Sequence, residues 1–233
     1  LSDRQHECKW LVDQTFGKTD DDYSTLVPAN TKLMIGPQYA LIRKEFTSVA
    51  KPFKRKFPES KIKVLLTLGG VDKNNDTSKV LLFLEAYKTV NKQQITTTVI
   101  TGTSNPNLYK LQIEVARIQN TSLLTDVNNM AELMASHDVC IGAAGTTSWE
   151  RCVMSLPTIS IVLAENQKTI AKYLADAEIV LDLGLVGEIT KEKFMEVFNL
   201  LLNNMNLYNS LSIKSNSLCD GLGCNRIIKE VIG

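Results

Sequence analysis

The chain has 233 residues, 44% of them hydrophobic and 22% charged, enough to bury one large core or a domain plus part of another. A formal net charge of +1 gives no field argument for nucleic acid or a membrane surface. No apolar run approaches bilayer-spanning length, and no charged-then-apolar leader opens the chain.

In chain order, Trp10-Leu11-Val12 reads as a short apolar strand. Gly17–Ser24 is a polar loop whose Asp20, Asp21 and Asp22 are better read as solvated than as cation ligands, since no ligand pattern follows. Lys32–Gly36 continues extended, Gly36–Tyr39 turns, and Ala40–Phe46 reads as helical, with Arg43 as its notable cation. Residues 1–50 have one apolar strand and nothing to cover it, so they are expected to be the remnant of a larger N-terminal domain plus an interdomain segment. The first residue, Leu1, is not methionine, which leads to the same expectation of a fragment or a processed product. Residues 51–62 read as a linker or solvated face, because six basic residues and two prolines fall between Lys51 and Lys63.

From residue 63 to 233 the pattern becomes regular. Strands are expected at Val64–Leu68, Thr96–Ile100, Ser122–Leu124, Val139–Ile141, Thr158–Leu163 and Ile179–Leu183. Helices are expected between them: from Asp76 or Thr77 to Val90, after Asn105-Pro106, over Met130–Ser136, and up to Ala177. Thr190 caps a long helix with a stripe from Phe194 to Met205, and Leu222–Ile232 closes the chain. The strands are apolar throughout, as strands buried on both faces are. The expected class is therefore α/β: a Rossmann-like parallel sheet of about six strands with helices on both faces. Gly69-Gly70, Gly102, Gly145 and Asn166 each follow a strand, so they should share the carboxyl edge where such sheets bind ligands.

The stretch Asp138–Cys152, DVCIGAAGTTSWERC, is the centre of the argument. A buried strand runs into small residues and then into a helix opening at Thr146 or Thr147. Small residues admit a ligand close to the backbone, and a helix start presents N–H groups to an anion. Thr146, Thr147 and Ser148 add hydroxyl donors for a phosphate. A carboxylate at Glu150 would repel phosphate, so its natural partner is the diol of a ribose. The competing reading is a capping box, in which Thr147 and Glu150 only satisfy backbone N–H groups. The five cysteines (Cys8, Cys140, Cys152, Cys219, Cys224) are odd in number and lack metal-site spacing, so no metal or cofactor is expected and the location expected is the reducing cytoplasm. His137, before a buried strand, reads as structural, and neither it nor His6 forms a recognisable nucleophile arrangement.

Several runs together resemble one family. They are Leu11–Gln14, Gly36–Phe46, Leu68–Asp72, Ser104–Leu108, Asn129–Met134, Ile141–Cys152, Ala164–Gln167 and Asp220–Gly223 followed by Arg226. They resemble the UDP-sugar hydrolases of pseudaminic acid biosynthesis, which release UDP from UDP-2,4-diacetamido-2,4,6-trideoxy-β-L-altropyranose. The resemblance implies the C-terminal domain of a GT-B fold, with UDP or a UDP-sugar as ligand and water as acceptor. It implies that Thr146, Thr147 and Ser148 meet the diphosphate and Glu150 the ribose. It also implies that Gly69 and Gly70 lie beneath the diphosphate, and that Arg43, Asn166 and Gln167 contact substrate. The family's N-terminal domain carries a Gly-x-Gly-His loop whose histidine is the base for water; this sequence has no such motif, so it offers no catalytic residue. The chain alone is then expected to bind UDP and to turn substrate over poorly or not at all. Half of a GT-B glycosyltransferase, a non-catalytic UDP-sugar binding domain and a plain interaction module remain as alternatives.

Overall fold

The structure, a computed structural model, describes residues 4–50 and 55–233. Lys51 and Lys54 of the expected linker lie outside the described residues.

Six strands form one parallel sheet: β3 (Lys61–Thr67), β4 (Gln94–Thr101), β5 (Thr121–Thr125), β6 (Val139–Ala143), β7 (Thr158–Val162) and β8 (Leu181–Leu185). Their spatial order is β5-β4-β3-β6-β7-β8. Strands β6 and β7 are buried at every position. Alternation along β3 sends Val64 and Leu66 into one core and Leu65 into another on the opposite face. Continuous apolar runs therefore demand helices on both sides, and the helices supply them.

One core packs α2 (Asp76–Asn91), α3 (Leu108–Arg117), α7 (Lys191–Asn203) and α8 (Met205–Leu218) against the sheet. Its centre is aromatic: Tyr87 meets Phe198 edge-on at 4.8 Å, and Phe198 stacks on Phe194 at 5.6 Å. The other core collects α1 (Lys44–Ala50), α4 (Met130–Ser136), α5 (Thr147–Val153) and α6 (Lys168–Asp176) around Phe46, Met134, Trp149 and Leu174. The fold class read from the sequence is the one observed.

Several local expectations are corrected. The N-terminal segment has two strands, β1 (Trp10–Asp13) and β2 (Lys32–Ile35), paired in parallel. Tyr23 covers them, packing with Leu11 and Ile35 while its hydroxyl donates to Asp13. The triple aspartate is a 3₁₀ turn in which Asp22 accepts from Thr19 N–H at 2.8 Å and pairs with Lys18 at 2.7 Å. Helix α1 starts at Lys44 rather than Ala40, because Pro37–Tyr39 forms a 3₁₀ turn and Ala40 is extended. The start of α2 is capped by neither Asp76 nor Thr77: both donate backbone N–H groups to the Asp72 carboxylate, at 2.8 and 3.0 Å. Helix α3 begins at Leu108, since Asn105 first folds into a turn accepting from Asn107 N–H. The expected long helix through Met205 is two helices. Asn204 breaks it and caps α8, accepting from Leu207 N–H at 3.0 Å. Helix α8 had no sequence signal beyond that cap. Helix α9 (Gly223–Ile232) closes the described chain as expected, and Arg226 ties it to the Gln38 carbonyl at 2.9 Å.

Arg55 and Phe57 belong to the core rather than to a solvated face. The Arg55 guanidinium donates to the carbonyls of Met134, His137, Met154 and Ser155, where α4 and α5 end. Cations at helix carboxyl ends satisfy the last carbonyls and the dipole together. Phe57 meets Tyr208 edge-on at 5.3 Å. Arg55→Met strands those acceptors, and the expected loss is about 2 kcal/mol or more. Urea unfolding checks it; an unchanged midpoint would show that the carbonyls find other partners.

Candidate functional site

The sheet begins at β3, grows outward through β4 and β5, and returns to place β6 beside β3. Connections on either side of that seam leave in opposite directions, and a crevice opens at the carboxyl ends. A cleft of about 230 Å³ lies there. Its wall is backbone at Gly69, Gly70 and Gly102, its apolar side is Ile100, Val127 and Met130, and Thr67, Asp126 and Thr147 add polar groups. Gly102 N–H donates to Gly70 O at 3.0 Å, and a Cβ at Gly102 would stand 2.7 Å from that oxygen. No larger residue fits that wall. Asp126 accepts from Thr103 N–H and Oγ1 at 3.1 and 2.7 Å, which holds its carboxyl below the usual range. Among the larger hollows, one beside His6 and Pro28 and one along α8 beside Arg55 lie away from this edge.

The loop Ala144-Gly145-Thr146 joins β6 to α5. The capping-box reading fails here. The Thr146 side chain does not cap α5, and the Glu150 carboxylate turns to Arg43, accepting from Nε at 3.3 Å and Nη2 at 3.1 Å. Arg43 is shared: its Nη1 lies 2.7 Å from Glu45. Burial pushes the Glu150 carboxyl above its ordinary 4.5, and the attraction of Arg43 only partly offsets that.

The three hydroxyls separate. Thr146 is exposed, Thr147 is half-buried on the cleft, and Ser148 is buried with its Oγ accepting from Arg151 at 2.8 Å. Gln167 lies over the loop, its Nε2 at 4.0 Å from where a Gly145 Cβ would be, and its Oε1 accepts from Leu163 N–H at 2.9 Å. Asn166 is exposed on the same 3₁₀ turn. Of the residues singled out in the sequence, Gly69, Gly70 and Thr147 share the cleft, Arg43 binds Glu150, and Gln167 flanks the loop. Ser148 faces inward, and Asn166 stays exposed apart from the others. His137 is structural, its ring bridging Leu133 O at 2.6 Å and Thr98 Oγ1 at 2.8 Å, with burial holding its pKa below 6.5.

Sequence reasoning missed Val127 and Met130, whose signal is their place just after β5, and Arg151. A cation between Trp149 and Cys152 on a buried helix was the available sign of the last. Among the described residues, no group of acids, cysteines and histidines is placed to hold a metal, and no helix is long and apolar enough to cross a membrane.

Six parallel strands in this order, with helices on both faces, make a Rossmann-like domain of the kind found as the C-terminal domain of GT-B folds. The chain belongs to the glycosyltransferase family 28 C-terminal domain, which it matches over residues 50–216. It is 31% identical over 172 residues to the UDP-2,4-diacetamido-2,4,6-trideoxy-β-L-altropyranose hydrolase of Campylobacter jejuni, covering 74% of this chain and 59% of that one. It is 24% identical over 201 residues to the spore coat polysaccharide biosynthesis protein SpsG of Bacillus subtilis, covering 86% of this chain and 58% of that one. The chain thus spans about six-tenths of the length of these curated relatives. In fold it is similar to the UDP-GlcNAc 2-epimerase of Neisseria meningitidis bound to UDP-GlcNAc (TM-score 0.67, 15% identity, 96% of this chain and 61% of that one). It is similarly close to MurG of Acinetobacter baumannii (TM-score 0.63, 16% identity, 96% and 66%). The hydrolase resemblance read from the sequence is borne out.

Removing the Glu150 charge separates its cost from its use. A carboxyl raised in the folded state takes up protons more readily there than when unfolded. Its ionised form therefore detracts from stability at neutral pH, and that deficit fades as pH falls through the raised value. Glu150→Gln is expected to leave the melting temperature of the unliganded chain at pH 7 unchanged or higher. A fall of several degrees in calorimetry would show that the Arg43 contact outweighs burial.

Proposed function

We propose that this chain is the nucleotide-binding part of a UDP-sugar hydrolase that releases UDP from UDP-2,4-diacetamido-2,4,6-trideoxy-β-L-altropyranose. The observation that carries the reading is the Glu150 carboxylate, free of capping and held by Arg43 beside a glycine-walled cleft. A flat base suits a slot with Ile100, Val127 and Met130 on one side and backbone on the other. Thr147 stands between that slot and the loop, where a diphosphate would lie. Glu150, one helical turn further along α5, is the acid offered to a ribose diol. Arg43 then serves as the cation for the diphosphate, and Thr146, Gln167 and Asn166 flank the sugar side.

Hydrolysis breaks the anomeric C–O bond, with UDP as leaving group and water as nucleophile. Arg43 and the loop would stabilise charge developing on the departing diphosphate. The chain carries no Gly-x-Gly-His motif, so activation of water falls to an N-terminal domain, of which residues 1–50 are read as the end and 51–62 as the connection. The contacts proposed need no metal or cofactor, and the reading places the protein in the cytoplasm. Membership of a glycosyltransferase family favours a second reading, the same nucleotide half acting with a sugar or lipid acceptor. Product analysis separates the two: free sugar plus UDP, with water alone, supports the hydrolase.

Calorimetric titration tests the site directly. UDP is expected to bind more tightly than UMP or ADP, and equal affinities would refute both base slot and diphosphate loop. Glu150→Gln replaces charge-assisted bonds to the diol and should weaken UDP by roughly 10- to 100-fold. The wild-type chain should also lose more affinity than this variant as pH falls through the raised Glu150 value and the carboxyl takes up its proton.

A further inference from the structure

A guanidinium lies directly beneath the loop. Arg151 is 2% exposed. Its Nη2 donates to Ala143 O, at the end of β6, and to Ser148 Oγ, both at 2.8 Å. Its Nη1 donates to Thr147 Oγ1 at 3.3 Å. Its Nε has no hydrogen-bond partner among the described residues. No acid among them pairs with it, and Glu150 feels it only as a charge through space. Residue 142 is glycine for the same reason: a Cβ there would stand 2.4 Å from Nη1.

A buried cation without a paired acid is costly unless something compensates it. Three oxygens that flank the loop, one at the end of β6 and two in the first turn of α5, accept from this one, and that has a chemical consequence. A hydroxyl oxygen that accepts from a cation turns its own O–H away from it. Thr147, half-buried on the cleft, then has one lone pair committed to Arg151 and its O–H free to donate to an anion in the cleft. An anion needs donors, and a desolvated charge behind them is little screened by water.

We infer that Arg151 is a positioning residue that orients the Thr147 hydroxyl as a donor and places buried positive charge behind the loop, so that the cleft selects a diphosphate over a neutral nucleoside. This rests on the UDP reading above.

The test uses the full chain at fixed ionic strength, with UDP titrated by calorimetry and uridine followed by ligand-observed NMR. Arg151→Met keeps length and apolar bulk but removes charge and donors. It should weaken UDP by about 10- to 100-fold while changing uridine by less than about twofold. Arg151→Lys keeps the charge but replaces the planar fork, whose two nitrogens reach different oxygens, with one shorter ammonium, so its UDP loss should be smaller, about 3- to 10-fold. Ser148→Ala removes one bond from a small buried side chain and should cost UDP about two- to fivefold, again sparing uridine. Should Arg151→Met fail to fold by circular dichroism, the other two variants decide. Parallel losses of UDP and uridine would reduce Arg151 to a structural residue, and unchanged UDP affinity in the folded variants would equally overturn the proposal. A wild-type chain that binds neither ligand would instead refute the nucleotide reading itself.

Discussion

The pairing of β3 with β6 decides where chemistry can happen in this protein. Val64 lies opposite Val139 and Thr67 opposite Gly142, so two strands far apart in sequence end side by side. Val64 and Leu66 pack in one core and Leu65 in the other, so a one-residue slip would exchange the two sets and spoil the packing on both faces. That rigid seam brings Gly69-Gly70 and the loop after β6 to one edge. The crevice is thus a consequence of core burial rather than of any residue that lines it.

Upon that seam the electrostatics are arranged in layers. Arg151 lies below the loop, buried and held by oxygens at the end of β6 and the start of α5. Arg43 lies outside it, shared between Glu45 and Glu150. The two arginines differ in solvation: the outer one is half exposed and free to exchange partners, while the inner one is fixed. A site with one fixed and one exchangeable cation suits an anion that must enter, be held and leave. The segment that brings Arg43 in is itself anchored, since Arg226 bonds the Gln38 carbonyl and the Asp220 carboxylate together.

Legibility followed the range of each interaction. Strand positions were readable because burial on both faces leaves an unbroken apolar run, which needs no knowledge of neighbours. The edge shared by Gly69, Gly70, Gly102 and Gly145 was readable for the same reason, since it follows from strand ends alone. Caps were read less well. Asp72 reaches forward to Asp76 and Thr77 from outside the expected window, and Asn204 interrupts a stripe whose apolar spacing gives no hint of a break. Tyr23 could not be seen as a cover for two strands, because its contacts with Leu11 and Ile35 are set by how an acidic loop folds back.

The Thr147-x-x-Glu150 spacing shows the division most clearly. Sequence alone determined that an acid and a hydroxyl sit one turn apart at the start of a helix after a buried strand. It equally determined the parallel α/β sheet and the family resemblance, because apolar runs and local motifs are properties of neighbouring residues. Only the tertiary structure decided that Glu150 faces Arg43 instead of its own helix end, that Ser148 faces Arg151, and that Val127 and Met130 complete the cleft. Each of those choices joins groups from separate elements, and a side chain's partner there depends on the packing that brings the elements together.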